Sequence, residues 1–191
     1  MRAFIAIPID HTTTQQLTKI TERLKNTEWG KEIIWFPPEN YHLTLHFLGG
    51  KLDPEKVHII CNAMSGWFAE GMSYFEAEIQ KIRLFPSEIH PHTIVASLDA
   101  TILLQYLVRE IQDQLKPYGL SKAKQAFRPH ISLGRIPKKM ELESIHLSEE
   151  FRRLEDIWLT VDRLTLYQSQ LTDHSPIYTP LQTLELERYE S

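Results

Sequence analysis

Two hydrophobic periods take turns along the chain. Leu17, Ile20 and Leu24 recur at helical spacing and predict a helix, with Thr12 to Thr14 as candidate caps. Val57, Ile60, Cys61 and Met64 fall at i, i+3, i+4 and i+7 behind Asp53-Pro54, and an Asp cap followed by Pro at the first helical position marks a helix start. Leu104, Leu107, Val108, Ile111 and Leu115 make the strongest stripe, and a short helix is expected at 148–154. Strand-like runs lie between them at 2–8, 41–48, 74–82, 93–98, 129–135, 158–168 and 177–186. The segment 35–40, which contains Pro37-Pro38, is expected to be irregular. Long strand pairs alternating with helices imply an α+β fold with mainly antiparallel sheets.

Composition narrows the class. A length of 191 residues suits one domain over 1–191. Hydrophobic residues at 42% and charged residues at 24% are ordinary for a globular chain and exclude a disordered tail, a coiled coil or a collagen-like rod. No apolar run approaches the roughly 18 residues of a membrane span. Met1 to Asp10 is too briefly apolar for a secretory signal and reads as a strand. The single cysteine, Cys61, forms no internal disulfide and no Cys-based zinc site, which places the protein in a reducing cytoplasm.

The net charge of −4 excludes a general nucleic-acid blanket, but the charge is unevenly spread. Lys116, Lys122, Lys124, Arg128, Arg135, Lys138 and Lys139 occupy one stretch with no acidic residue, while acidic residues outnumber basic ones on both sides of it. Such a run is either a solvated loop or an electropositive rim for a phosphate-bearing ligand.

A weak internal repeat helps to decide. Trp35-Phe36-Pro37-Pro38 precedes Tyr41-His42-Leu43-Thr44-Leu45, and Phe127-Arg128-Pro129 precedes His130-Ile131-Ser132-Leu133. Side chains alternate along a strand, so His42, Thr44 and His46 are expected on one face, with Leu43, Leu45 and Phe47 on the other. His130 and Ser132 share a face in the same way. Each strand thus presents an imidazole beside a hydroxyl. Imidazole titrates near neutrality, so one neutral and one protonated ring serve as general base and general acid. The hydroxyls are placed to bind the non-bridging oxygens of a phosphodiester in its transition state. Arg135, just past the second strand, supplies a bidentate clamp.

Competing chemistries fit less well. His42 and His46 have the i, i+4 spacing of a helical zinc motif, but Leu43 stands where that motif has Glu, and the alternation is that of a strand. His90 and His92, flanking Pro91, leave a metal site open. There is no Gly-x-Ser-x-Gly elbow and no Gly-x-x-x-x-Gly-Lys-Ser/Thr phosphate loop.

His42-Leu43-Thr44-Leu45 and Phe127-Arg128-Pro129-His130-Ile131-Ser132-Leu133-Gly134-Arg135 resemble the paired motifs of the two-histidine phosphoesterases, and most closely the RNA 2′,3′-cyclic phosphodiesterase (2′-5′ RNA ligase) family. The likeness extends to Arg2-Ala3-Phe4-Ile5-Ala6-Ile7, His46-Phe47-Leu48-Gly49 and Leu164-Thr165-Leu166-Tyr167-Gln168-Ser169. It implies a bilobal α+β protein whose two related lobes, each a mainly antiparallel sheet with outer helices, form a central cleft. It further implies opening of an RNA 2′,3′-cyclic phosphate to a 2′-phosphomonoester without ATP, metal or other cofactor. On that likeness His42 is the proton donor and His130 the acceptor, Thr44 and Ser132 hold the phosphate, and Arg135 matches a basic position of the second motif. Ser132 stands where many members have Thr.

The expected partner is therefore an RNA with a 2′,3′-cyclic end or a small cyclic nucleotide, bound by a monomer with no membrane attachment. The alternatives are a phosphodiesterase for another cyclic or 2′-5′-linked nucleotide, and a non-catalytic module that binds RNA ends. Tyr41, Phe47, Phe127 and Trp35 are candidates for stacking a terminal base.

Overall fold

The apolar stripes become helices that bury the faces their spacing marks. The computed structural model describes residues 1–68, 71–123, 125–173 and 175–187. In chain order the elements are β1 (Ala3–Pro8), α1 (His11–Lys25), β2 (Ile34–Trp35), β3 (His42–Gly49), α2 (Pro54–Met64), β4 (Phe75–Phe85), β5 (Thr93–Leu98), α3 (Ile102–Leu115), β6 (His130–Arg135), α4 (Glu149–Arg152), β7 (Trp158–Val161), β8 (Arg163–Gln170) and β9 (Ile177–Glu185). Leu17, Ile20 and Leu24 of α1, Val57, Ile60 and Met64 of α2, and Leu104, Leu107, Ile111 and Leu115 of α3 all lie in one hydrophobic core.

The sheet order is β7-β4-β5-β6-β3-β1-β8-β9, with the short β2 also pairing β6. From its centre outward, this order is a palindrome in role. β6 matches β3, β5 matches β1, β4 matches β8 and β7 matches β9. At the centre Leu43 of β3 pairs with Ile131 of β6. These are the residues that follow His42 and His130, so each half meets its own counterpart across a local twofold. The result is two related lobes, α+β and mainly antiparallel, with the paired strands at the join. The helices lock the halves together. In α1, Thr13 Oγ1 lies 2.8 Å from the Trp158 carbonyl on β7, which shares the hydroxyl's one proton with the Asp10 carboxylate, and α3 packs against β3.

Both central strands carry the same irregularity. Ile5 lies opposite His46 and Ala6 opposite Thr44, which leaves Leu45 unpaired. Ile94 lies opposite Gly134 and Val95 opposite Ser132, which leaves Leu133 unpaired. An extra residue in one strand is a β-bulge, and it reverses the facing of everything beyond it. Burial follows suit: Leu43 and Leu45 are buried, then His46 and Leu48. The expectation that His46 shares a face with His42 and Thr44 is therefore corrected. His46 turns to the other side, buried, with Nε2 2.7 Å from the Leu120 carbonyl. Phe47 takes the cleft side, with the Arg2 guanidinium 4.4 Å above its ring.

Three further expectations shift. The run at 158–168 is two strands, not one, because the chain leaves β7, paired with β4, at Asp162 and enters β8, paired with β1 and β9. Trp35 is held in β2 rather than in an irregular segment, since Gly134 gives it room: a Cβ on Gly134 would lie 2.9 Å from Trp35 Cε3. The cap of α1 is Asp10, not a threonine. Its carboxylate accepts from Thr13 N at 2.9 Å and from Thr13 Oγ1 at 2.7 Å, which satisfies a donor the helix end leaves free. Asp10→Ala should cost about 1 kcal/mol of stability, read as a lower urea midpoint at unchanged slope; an unmoved midpoint would show that the cap contributes nothing.

Candidate active site

The twofold pairing brings the sequence-singled residues together. Extending the register from Leu43 and Ile131 sets Thr44 across from His130 and Ser132 across from His42. All four stand half-exposed on one face, while Leu43 and Ile131 are fully buried behind them. The imidazoles thus occupy one diagonal of a small square and the hydroxyls the other.

Each imidazole is oriented by the chain two residues before it. Nδ1 of His42 is 2.7 Å from the Asn40 carbonyl, and Nδ1 of His130 is 2.7 Å from the Arg128 carbonyl. A carbonyl only accepts, so Nδ1 carries the proton in both rings. Nε2 then carries a lone pair when the ring is neutral and an N–H when it is charged. Burial pushes both rings below the ordinary value of 6.5. The carbonyl bonds oppose that shift. Repulsion from His130 adds to it at His42, and repulsion from Arg128 adds to it at His130.

The surroundings differ between the halves. The His42 ring lies 5.0 Å from Phe4 and 5.0 Å from Tyr178, the latter edge-on. His130 stacks on Phe85 at 4.1 Å, and the Arg128 guanidinium lies 4.6 Å from the centre of that same Phe85 ring. Arg128 also donates to the Pro86 carbonyl at 2.8 Å. Phe4, Phe85 and Tyr178 are not legible as site residues in the sequence, because they reach the imidazoles across strands and not through sequence spacing.

Cavities flank the square. One of about 360 Å³ is walled by Thr44, Phe47, Phe85, Phe127 and His130. Another, of about 530 Å³, holds Arg135 with Trp35, Phe36, Pro37 and Lys25. Arg135 is thus on the strand of His130 and Ser132 but opens on a separate cavity. Of the stacking candidates, Phe47 and Phe127 line the first cavity and Trp35 the second, its indole fixed by a 2.8 Å bond to the Gly30 carbonyl. Tyr41 is core, its hydroxyl 3.4 Å from Thr21 Oγ1. The basic stretch divides. Arg128 and Arg135 reach these cavities, Lys116 pairs with Asp113, Lys122, Lys138 and Lys139 are solvent-exposed, and Lys124 lies outside the described residues. The i, i+4 pair His42 and His46 does not converge on a metal, since His46 Nε2 is held by Leu120. Among the described residues no group of three His, Cys, Asp or Glu is placed to hold one.

Known proteins resemble this chain over nearly its whole length. The LigT like Phosphoesterase model matches the chain twice, over residues 7–95 and 99–178. A Thermotoga maritima protein named RNA 2′,3′-cyclic phosphodiesterase is 31% identical over 98% of this chain and 96% of its own. An Archaeoglobus fulgidus protein of the same name is 27% identical over 97% of this chain and 100% of its own. Among solved structures, TT0787 of Thermus thermophilus superposes with a TM-score of 0.76 at 21% identity, covering 97% of this chain and 98% of that one. Apo LigT of E. coli superposes with a TM-score of 0.72 at 21% identity, covering 98% of each. With most of its length matched by the family model and its fold shared with these structures, the chain belongs to the LigT like phosphoesterase family.

Proposed function

We propose that the protein hydrolyses 2′,3′-cyclic phosphate ends of RNA to 2′-phosphomonoesters by acid–base catalysis between two histidines. The observation that carries the proposal is the diagonal square, with two Nε2 atoms that have no hydrogen-bond partner among the described residues, their Nδ1 atoms being the ones held, and two hydroxyls between them. The name borne by the relatives over nearly their whole length supports the substrate class. The chain is read as one bilobal domain, monomeric and cytoplasmic, with Cys61 a thiol whose pKa burial pushes up.

In this mechanism water attacks phosphorus in line with the bond to O3′. His130 Nε2 takes the water proton as the new P–O bond forms. His42 Nε2–H gives its proton to O3′ as the P–O3′ bond breaks, leaving the phosphate on O2′. Thr44 and Ser132 donate to the non-bridging oxygens, whose negative charge is redistributed in the transition state. Arg135 adds a cation at the end of β6. The protonation states of the two imidazoles are exchanged after one turnover and are reset through solvent.

In excess EDTA, a short RNA ending in a 2′,3′-cyclic phosphate should be opened to the 2′-phosphate. His42→Ala and His130→Ala should each lower the rate by about 10²–10⁴-fold. Retained turnover in either variant, or a 3′-phosphate product, would refute the assigned roles. Tight end-binding without turnover in the wild type would instead identify a binding module.

The pH profile of kcat/KM reports the free enzyme's acid and base. Because burial holds both rings below 6.5, the population with one ring charged and one neutral declines once pH exceeds both values. The optimum is therefore expected below pH 6.5, with a falling limb toward neutrality. A profile flat from about pH 6 to 8 contradicts this.

A further inference from the structure

A third cavity, of about 200 Å³, opens off His130 on the side of β4 and β5. Lys81 and Arg83 of β4, Ser97 of β5 and Arg128 line it together with His130. Register explains the convergence. Lys81 lies opposite Ser97, which lies opposite His130; Arg83 lies opposite Val95, which lies opposite Ser132. Residues paired across strands share a face, so two cations project from the face that carries the imidazole and hydroxyl of β6.

The cations outnumber the acidic groups of this cavity. Lys81, Arg83 and Arg128 form no ion pair among the described residues; the one carboxylate lining the cavity, Asp99, keeps its charge and accepts from Gln80 Nε2 at 2.8 Å, which leaves three cations to one anion. The Arg83 Nε is shut off from solvent and has no hydrogen-bond partner among the described residues. A buried N–H of this kind is costly to leave unmade; being closed to solvent it is itself out of a ligand's reach, and Arg83 meets the cavity through the rest of its side chain.

The fold does not require the charge at Arg83. In the other half the position equivalent to Arg83 is Thr165, opposite Ala6, which is opposite Thr44. Thr165 Oγ1 is paired with Thr183 Oγ1 at 3.0 Å. Near it, Arg163 is neutralised by Asp162 at 2.9 Å. The two halves of one quasi-symmetric cleft therefore differ in charge, with cations in excess of carboxylates on the β4 side.

We infer that this cavity is a subsite for a second phosphoryl group of the substrate, bound by Lys81, Arg83 and Arg128 while the cyclic phosphate lies between His42 and His130. The inference rests on the proposed cyclic phosphodiesterase reading and narrows it. The preferred substrate carries a phosphate on the 5′ oxygen of its terminal nucleotide, and a bare nucleoside 2′,3′-cyclic phosphate is a poor one. That second phosphate is either the phosphodiester of an RNA chain or the 5′-phosphomonoester of a mononucleotide.

The test compares adenosine 2′,3′-cyclic phosphate, its 5′-phosphorylated form, and the dinucleotide ApA ending in a 2′,3′-cyclic phosphate. Binding of adenosine 2′-phosphate and adenosine 2′,5′-bisphosphate is measured in parallel by calorimetry. The wild type should favour both doubly phosphorylated substrates by about tenfold or more in kcat/KM, and bind the bisphosphate tighter by a similar factor. Lys81→Gln, Arg83→Gln and the double variant should bring both ratios toward one. Lys81 is exposed, so its variant tests the site even if Arg83→Gln melts early.

A gain for the 5′-phosphorylated mononucleotide alone assigns the subsite to a terminal phosphate; a gain for both assigns it to the chain. Equal kcat/KM on the three substrates with equal binding of the two ligands overturns the subsite, as does a loss in the variants that is the same for all three. If no cyclic phosphate is turned over, the proposed activity fails. The calorimetric ratio then decides the subsite by itself, for or against.

Discussion

The pairing of Leu43 with Ile131 is the contact on which the rest depends. Both side chains are fully buried, each burial worth about 1.5–3 kcal/mol, and they hold the two halves of the sheet at a point of local symmetry. Symmetry then does the positioning. If residue n of one strand faces its own counterpart in the other, the residues at n−1 and n+1 exchange places across the pair. A motif with His before the anchor and a hydroxyl after it becomes a square with the two imidazoles on one diagonal. A single residue of slippage would turn every one of these side chains into the core. The bulges at Leu45 and Leu133, at equivalent places, end the shared facing immediately after the square is complete. This leaves the strands free to diverge and open the flanking cavities.

A symmetric frame does not make the two imidazoles chemically equal. Both are tied through Nδ1 and both are depressed by burial, so neither is set as acid or base by its own hydrogen bond. The difference lies around them. His42 sits among Phe4 and Tyr178, while His130 lies on Phe85 with Arg128 close by. A neighbouring guanidinium adds to burial in disfavouring the charged form of His130, which suits the proton-accepting role proposed for that ring. Burial is the main effect disfavouring charge on His42, and repulsion from His130 adds to it. A bound phosphate anion between the rings would favour a charged imidazole and so oppose the effect of burial.

The helices and the two histidine strands are legible in the sequence because they obey local rules. Asp53-Pro54 caps α2 as its chemistry requires, and the stripe of α3 is buried where its period places it. What period-2 reasoning cannot contain is a bulge, so it puts His46 and Phe47 each on the wrong face. The break at Asp162 is equally invisible. Trp158–Val161 and Arg163–Gln170 are both good strand sequences, and only their different partners, β4 in one case and β1 with β9 in the other, separate them. Thr12 to Thr14 look like caps, yet Asp10 supplies the acceptor from the residue just before the helix. The second motif's Arg128 is visible but without a role, since Arg83 and Lys81 join it only through the β4–β5–β6 register.

Charge illustrates why placement matters more than the total. The chain is acidic overall, and a net charge of −4 would discourage a polyanion if all charges acted equally. They do not. At physiological ionic strength exposed charges are screened beyond about 8 Å, so acidic residues remote from the cleft contribute little there. Lys81, Arg83 and Arg128 line one cavity beside His130, walled partly by low-dielectric protein, where attraction to a phosphate is stronger than in water. The asymmetry also gives direction. A symmetric cleft would accept a cyclic phosphate in either of two orientations related by the local twofold, with the histidine roles reversed between them. Cations on the β4 side and neutral Thr165 with the Asp162–Arg163 pair on the β8 side remove that degeneracy. The same strands that build the symmetric square thus carry, one lobe outward from it, the feature that makes the square work in a single sense.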